Sequence, residues 1–183
     1  MKNNVLYYSV GPLLYCPANR ISITDSLINE RFGNRFSLAL CLEDTINDDH
    51  VEEAEQILIS SLSQIFMQHE QKPLYLPKIF IRVRNPQQIQ RLTKALGKSI
   101  KIVTGFIVPK FSPDNAQSYI EQMILVNELV AKKLYMMPIY ESPSIIDLRN
   151  RIDILYLLRD SLARIEDLIL NIRVGGNDLC HMF

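Results

Sequence analysis

Charged residues of both signs stand where apolar runs of this sequence stop. Glu43-Asp44 closes the run ending at Leu42, and Arg82 and Arg84 sit at the end of the run from Lys78 to Val83. Lys110 follows Gly105 to Val108, Glu141 follows Leu134 to Tyr140, and Asp178 comes just after Leu168 to Val174 and the pair Gly175-Gly176. Two carboxylates from separate segments, Glu141 and Asp178, suit Mg2+, which takes oxygen ligands and commonly only one or two protein carboxylates, leaving places for water and substrate. Mn2+ accepts the same ligand type. The arginines offer planar donors to a substrate carboxylate or a developing enolate, and Lys110 adds a compact charge. His50, His69 and His181 show neither HxH nor HExxH spacing, so no zinc site is expected.

Each residue has a plainer reading. Asp44 or Asn47 could cap the following helix. Arg82 and Arg84 could be a solvated strand edge, although alternation puts both on the face of Phe80, opposite Ile79, Ile81 and Val83. Lys110 could be a surface lysine before a helix, and Gly175-Gly176 a plain turn. The ordered recurrence of charge at the ends of successive runs is what carries the site reading.

The elements that must position these residues alternate in period. Runs of strand length occur at Leu13 to Cys16, Ser37 to Leu42, Lys78 to Val83, Gly105 to Val108, Leu134 to Tyr140 and Leu168 to Val174. Helix-period segments lie between them, at Thr24 to Arg31, Val51 to Met67, Pro86 to Leu96, Pro113 to Ala131 and Ser144 to Ser161. Asn85-Pro86, Ser112-Pro113 and Ser142-Pro143 each pair a capping type with a proline tolerated in the first turn, and Asn47-Asp48-Asp49 puts acidic groups at a positive helix end. Such βα alternation implies a parallel sheet, either doubly wound or closed as a barrel, in which strand C-termini gather at one face.

At 183 residues and 48% hydrophobic composition the chain is long enough for one well-buried core, so residues 1–183 are read as one domain. Twenty basic and twenty acidic residues cancel, and no basic stripe with interleaved aromatics appears, which disfavours a nucleic-acid partner. No apolar run approaches the roughly 18 residues of a membrane span. Gly11-Pro12 interrupts the apolar N-terminus, which argues against a signal peptide. Cys16, Cys41 and Cys180 are odd in number and form no CxxC pair, so neither a disulfide framework nor a thiolate metal site is expected, and a cytoplasmic location is.

The same segments carry a resemblance. "LLYCPANR" at Leu13 to Arg20, "LCLEDTI" at Leu40 to Ile46, "FIRVRNP" at Phe80 to Pro86, "GFIVPK" at Gly105 to Lys110, "MPIYES" at Met137 to Ser142 and "VGGNDL" at Val174 to Leu179 resemble, in order, the strand signatures of one family. It is the citrate lyase beta subunit and HpcH/HpaI aldolase family, within the phosphoenolpyruvate/pyruvate superfamily of TIM barrels. The resemblance implies an α/β fold of parallel (β/α)8 TIM-barrel type and a Mg2+-dependent carbon–carbon lyase acting on a small oxo- or hydroxy-acid, as the free acid or as a CoA thioester. It places Glu141 and Asp178 on the metal ligands and Arg82, or in the other register Arg84, on the arginine that contacts substrate. Glu43 and Asp44 fall on the acidic pair near that arginine, which makes them catalytic candidates; Lys110, Gly175 and Gly176 are substrate-binding candidates. The expected partner is an oxo-acid or acyl-CoA, and the expected assembly a homo-oligomer.

The chain departs from the family pattern at Gly11, where an arginine is usual, at Cys41, where an aspartate is, and at Asn177, where a glutamate is common. "GGNDL" also looks like the "GTNDL" of phosphotransfer barrels, which keeps a phosphoenolpyruvate-type enzyme as an alternative. A full barrel takes roughly 250 residues, so the expectation is the first six βα units with the C-terminal ones lacking. That leaves room for a third reading, a non-catalytic barrel with a binding or structural role.

Overall fold

The computed structural model describes residues 5–33 and 35–181. Six parallel strands form one sheet in chain order: β1 (Leu13–Pro17), β2 (Ser37–Cys41), β3 (Lys78–Arg82), β4 (Val103–Val108), β5 (Tyr135–Tyr140) and β6 (Arg173–Val174). Helices α1 (Ser22–Ile28), α2 (Val51–Gln71), α3 (Pro86–Leu96), α4 (Pro113–Leu129) and α5 (Arg151–Ala163) connect them, and a short α6 (Gly176–Cys180) follows β6. Sequential order with a helix at each crossover is the barrel progression, and a doubly wound sheet would have reversed direction after its first strands. The sheet is a curled part of a barrel with helices outside.

The helices begin where the local chemistry says they should. Asn85 Oδ1 accepts from the Gln88 amide at 3.0 Å with Pro86 in the first turn, and Ile89, Leu92 and Leu96 then line one buried face until Gly97, at φ 50°, ends α3. In α4 the Asn115 side chain accepts from the Ser112 amide at 3.0 Å, and Ala116, Tyr119, Ile120, Met123 and Val126 turn inward.

In-register pairing sorts the strand residues onto two faces. Leu38, Leu40, Ile79, Ile81, Phe106, Val108 and Met136 pack against the helices in the larger core. Ala39, Phe80, Ile107, Met137 and Ile139 face inward, joined by Val10 and Leu170, as a smaller apolar cluster inside the curl. Cys41 and Arg82 continue that inner face toward the strand C-termini.

Two expected elements differ. The helix expected from Ser144 starts only at Arg151, after a single 3-10 turn at Pro143–Ile145. Asp147 competes for the intervening backbone: its carboxylate accepts from the Arg149 amide at 3.0 Å and from Asn150 Nδ2 at 2.7 Å. The strand expected over Leu168 to Val174 is broken. Leu168 O accepts from Met136 N at 2.8 Å and Leu170 N donates to Met136 O at 3.0 Å, bridging Ile169 to Met136; pairing then resumes with Arg173 opposite Ile139 and Val174 opposite Tyr140. Three steps along β5 are matched by four along its partner, so one extra residue is accommodated at Asn171–Ile172 in the manner of a β-bulge.

Candidate active site

The strand C-termini gather the charged residues. Arg82, the last residue of β3, is 8% exposed, and its Nη2 lies 2.6 Å from Glu43 Oε2, 2.8 Å from Asp44 Oδ2 and 3.4 Å from Glu141 Oε1. Lys110, just beyond β4, closes the network from the other side. Its backbone takes the left-handed conformation, φ 48°, and its amide donates to Glu141 Oε1 at 2.9 Å. Its ammonium reaches Glu43 Oε1 at 2.5 Å and Asp44 Oδ1 at 3.4 Å.

Proton affinities follow from this packing. Burial opposes the charged form of Arg82, but the carboxylates of Glu43, Asp44 and Glu141 outweigh it and hold the guanidinium more firmly charged than usual. Burial likewise works against the Lys110 ammonium and is overcome by Glu43 and Asp44. At Asp44 burial raises the pKa, yet hydrogen bonding with Glu43 and the charges of Arg82 and Lys110 bring it below the usual carboxylate value. Glu141 goes the other way. Burial raises its pKa, with Asp178 and Glu43 adding repulsion, and the Lys110 amide and Arg82 only partly compensate.

A cleft of about 500 Å³ opens over these groups, lined by Tyr15, Cys41, Asp44, Thr45, Arg82, Ile139, Glu141, Arg173, Val174, Gly175, Gly176, Asn177 and Asp178. Gly175 donates its amide to Tyr140 O at 3.3 Å and lies so close to Glu141 that a Cβ there would stand 2.0 Å from Oε2. This contact brings the first turn of α6, with Asp178, against Glu141. Two polar atoms here are buried without a protein partner: Arg82 Nε, a donor, and Asp178 Oδ2, an acceptor.

Among the expected residues, Glu43, Asp44, Arg82, Lys110, Glu141, Gly175, Gly176 and Asp178 therefore come together. Arg84 does not. The strand ends at Arg82, and the Arg84 guanidinium turns to the loop after β2, donating to Leu42 O at 2.8 Å, Glu43 O at 3.2 Å and Ile46 O at 2.6 Å and pairing with Asp48. It braces the loop that carries Glu43 and Asp44 and is not among the residues lining the cleft over Arg82. Asp44 points to Arg82 and Lys110 instead of capping a helix. Tyr15 and Arg173 are cleft residues that the sequence did not single out. Tyr15 had a usable signal, standing on the parity of Leu13 two residues before the strand-ending Pro17, and the Arg82 guanidinium lies 5.9 Å from its ring centroid.

No cluster of three or more His, Cys, Asp or Glu able to hold a metal occurs among the described residues. The donors whose type fits a divalent ion are the pair Glu141 and Asp178: both offer carboxylate oxygens, burial disfavours the charged form of Glu141, and Asp178 Oδ2 is buried without a partner.

A family model for C-C bond lyases of the TIM-barrel fold matches residues 4–183. The chain belongs to that family. Among solved structures this C-C bond lyase chain is similar to the citrate lyase beta subunit of Mycobacterium tuberculosis complexed with oxaloacetate and magnesium, at 16% identity and a TM-score of 0.49 over 97% of this chain and 63% of that one. It is similar to CitE of the same organism complexed with the triphosphate group of ATP, at 16% identity and a TM-score of 0.50 over 95% of this chain and 61% of that one. A complex of CitE with magnesium and pyruvate matches at 15% identity and a TM-score of 0.49 over 95% and 57%. The chain thus spans less than two thirds of these relatives' length. No curated protein matches the sequence.

Proposed function

We propose that this chain carries the electrophilic half of a Mg2+-dependent carbon–carbon lyase site, cleaving or condensing a small oxo- or hydroxy-acid, free or as a CoA thioester. The observation that carries the reading is the meeting of Asp178, with its unpartnered Oδ2, Glu141, and the buried unpartnered Nε of Arg82 at one cleft. The family match favours carbon–carbon chemistry over phosphotransfer.

Glu141 and Asp178 would hold the ion. Bound there, Mg2+ would act as a Lewis acid toward an oxygen of the oxo-acid. Arg82, whose Nε is a donor with no protein partner, would supply its charge to the oxygen on which negative charge develops as the carbon–carbon bond breaks. Its guanidinium is already oriented by Glu43 and Asp44, so little reorganisation is required at the moment of reaction. Lys110 keeps that acidic pair in place through its ammonium and Glu141 through its amide. Gly175 admits the backbone contact that sets Asp178 beside Glu141, and Gly176 leaves the cleft mouth open, with nothing within 4 Å of a would-be Cβ.

Among the described residues no helix is long and apolar enough to cross a membrane. The free thiols of Cys16, Cys41 and Cys180 support placing the chain in the reducing cytoplasm. The assembly we propose is a homo-oligomer, supported by the exposed apolar side chains of Ile152, Tyr156 and Leu157 on α5.

The test is thermal unfolding with Mg2+ or Mn2+, with oxaloacetate or pyruvate, and with both together. Ligand at about a hundred times its dissociation constant contributes about 2.7 kcal/mol. The expected result is a rise in midpoint that needs metal and oxo-acid together and disappears in Asp178→Ala. A rise that survives Asp178→Ala, or no rise in the unsubstituted chain, would sink the site.

A further inference from the structure

The charges in the cleft are unevenly matched. Arg82 is ringed by Glu43, Asp44 and Glu141, and Lys110 by Glu43 and Asp44, so both cations are balanced by fixed carboxylates. Arg173 also lines the cleft, half-buried, yet among the described residues no carboxylate pairs with it and no hydrogen bond engages its guanidinium. It reaches the cleft because of the extra residue at Asn171–Ile172. Leu170 faces the inner cluster, so strict alternation would send Ile172 and Val174 inward and Arg173 outward. The bulge reverses that parity, pairs Arg173 with inward-facing Ile139, and leaves Ile172 48% and Val174 69% exposed. The shifted parity thus sets a guanidinium, a planar donor suited to a ligand anion, opposite an inward-facing residue at the cleft.

We propose that Arg173 is a substrate-binding, specificity-determining residue that takes a second carboxylate of the oxo-acid, making the site selective for a dicarboxylic over a monocarboxylic ligand. This rests on the lyase reading above. The reacting end of the acid is directed to Arg82, Glu141 and Asp178, and Tyr15 stands under the influence of both guanidinia, within reach of electrostatic contact with each. A second planar fork lining the same cleft is suited to a carboxylate carried on the other end of the same small acid.

The experiment is a calorimetric titration of the full chain, in saturating Mg2+, with oxaloacetate and with pyruvate, on the unsubstituted protein, Arg173→Met and Arg173→Lys. Unfolding midpoints without ligand establish that each is folded. Loss of a charged hydrogen-bond pair corresponds to roughly a 10- to 100-fold weakening. The expected result is a preference for oxaloacetate that falls by that factor in Arg173→Met and less in Arg173→Lys, while pyruvate affinity stays within about twofold, a split that a purely structural role does not produce. Equal affinity for the two acids in the unsubstituted protein, or parallel loss of both in Arg173→Met, overturns this inference and leaves the lyase reading standing. Failure of the unsubstituted protein to bind either acid overturns both.

Discussion

At the residue scale the site is a set of charges whose positions were easier to foresee than their partners. Charge at the ends of apolar runs pointed to Glu43, Asp44, Arg82, Lys110, Glu141 and Asp178. The choice between Arg82 and Arg84 was not legible, because alternation treats both alike and only the end of β3 separates them. Glu141 offers a test in pH. Its folded pKa lies above the usual carboxylate value of about 4.3, so the native state binds its proton more tightly than the unfolded chain does. The contribution to stability is therefore full at low pH and declines as pH rises from the unfolded value through the folded one. Glu141→Gln removes the titration while keeping Oε1 as an acceptor for the Lys110 amide. In metal-free buffer the variant is expected to unfold at a midpoint equal to or above that of the unsubstituted chain, with the gap widening as pH rises through that interval, and to lose its response to Mg2+. A gap that narrows with rising pH would contradict the assignment.

At the element scale the helix starts were legible because Asn85-Pro86 and Ser112-Pro113 act through local chemistry that needs no tertiary information. The late start of α5 and the break before β6 were not, since the first depends on Asp147 folding back on its own backbone and the second on pairing with β5. The junction of β6 with α6 carries the most pointed element-level prediction. A methyl group at Gly175 would stand 2.0 Å from Glu141 Oε2 and 2.6 Å from its Cβ, and Glu141 is only 4% exposed, with little room to give. Gly175→Ala is expected to cost about 1–3 kcal/mol in chemical denaturation and to abolish the metal response. The neighbouring Gly176→Ala meets nothing within 4 Å and is expected to do neither. Equal behaviour of the two would mean that Gly175 does not seat Asp178 against Glu141.

For the whole molecule, βα alternation was enough to foresee six parallel strands joined by helices, because a strand buried on both faces and an amphipathic crossover leave few other arrangements, whereas the choice of barrel over doubly wound sheet rested on the family resemblance. The sheet–helix core should carry the stability. Phe106→Ala, at a fully buried position in that core, is expected to cost about 3–5 kcal/mol, whereas Met67→Ala, 56% exposed on α2, should stay within about 0.5 kcal/mol. Denaturation midpoints that move equally would place the core elsewhere. The bulge at Asn171–Ile172 has a consequence of a genetic kind. A strand of period two is a text with two reading frames, one facing ligand and one facing away, and a single inserted residue acts on side chains as a frameshift acts on codons. Insertion or deletion of one residue between Leu170 and Arg173 exchanges the chemistry shown to the cleft without altering any residue downstream, a change of specificity in one step that successive point substitutions would need several positions to imitate.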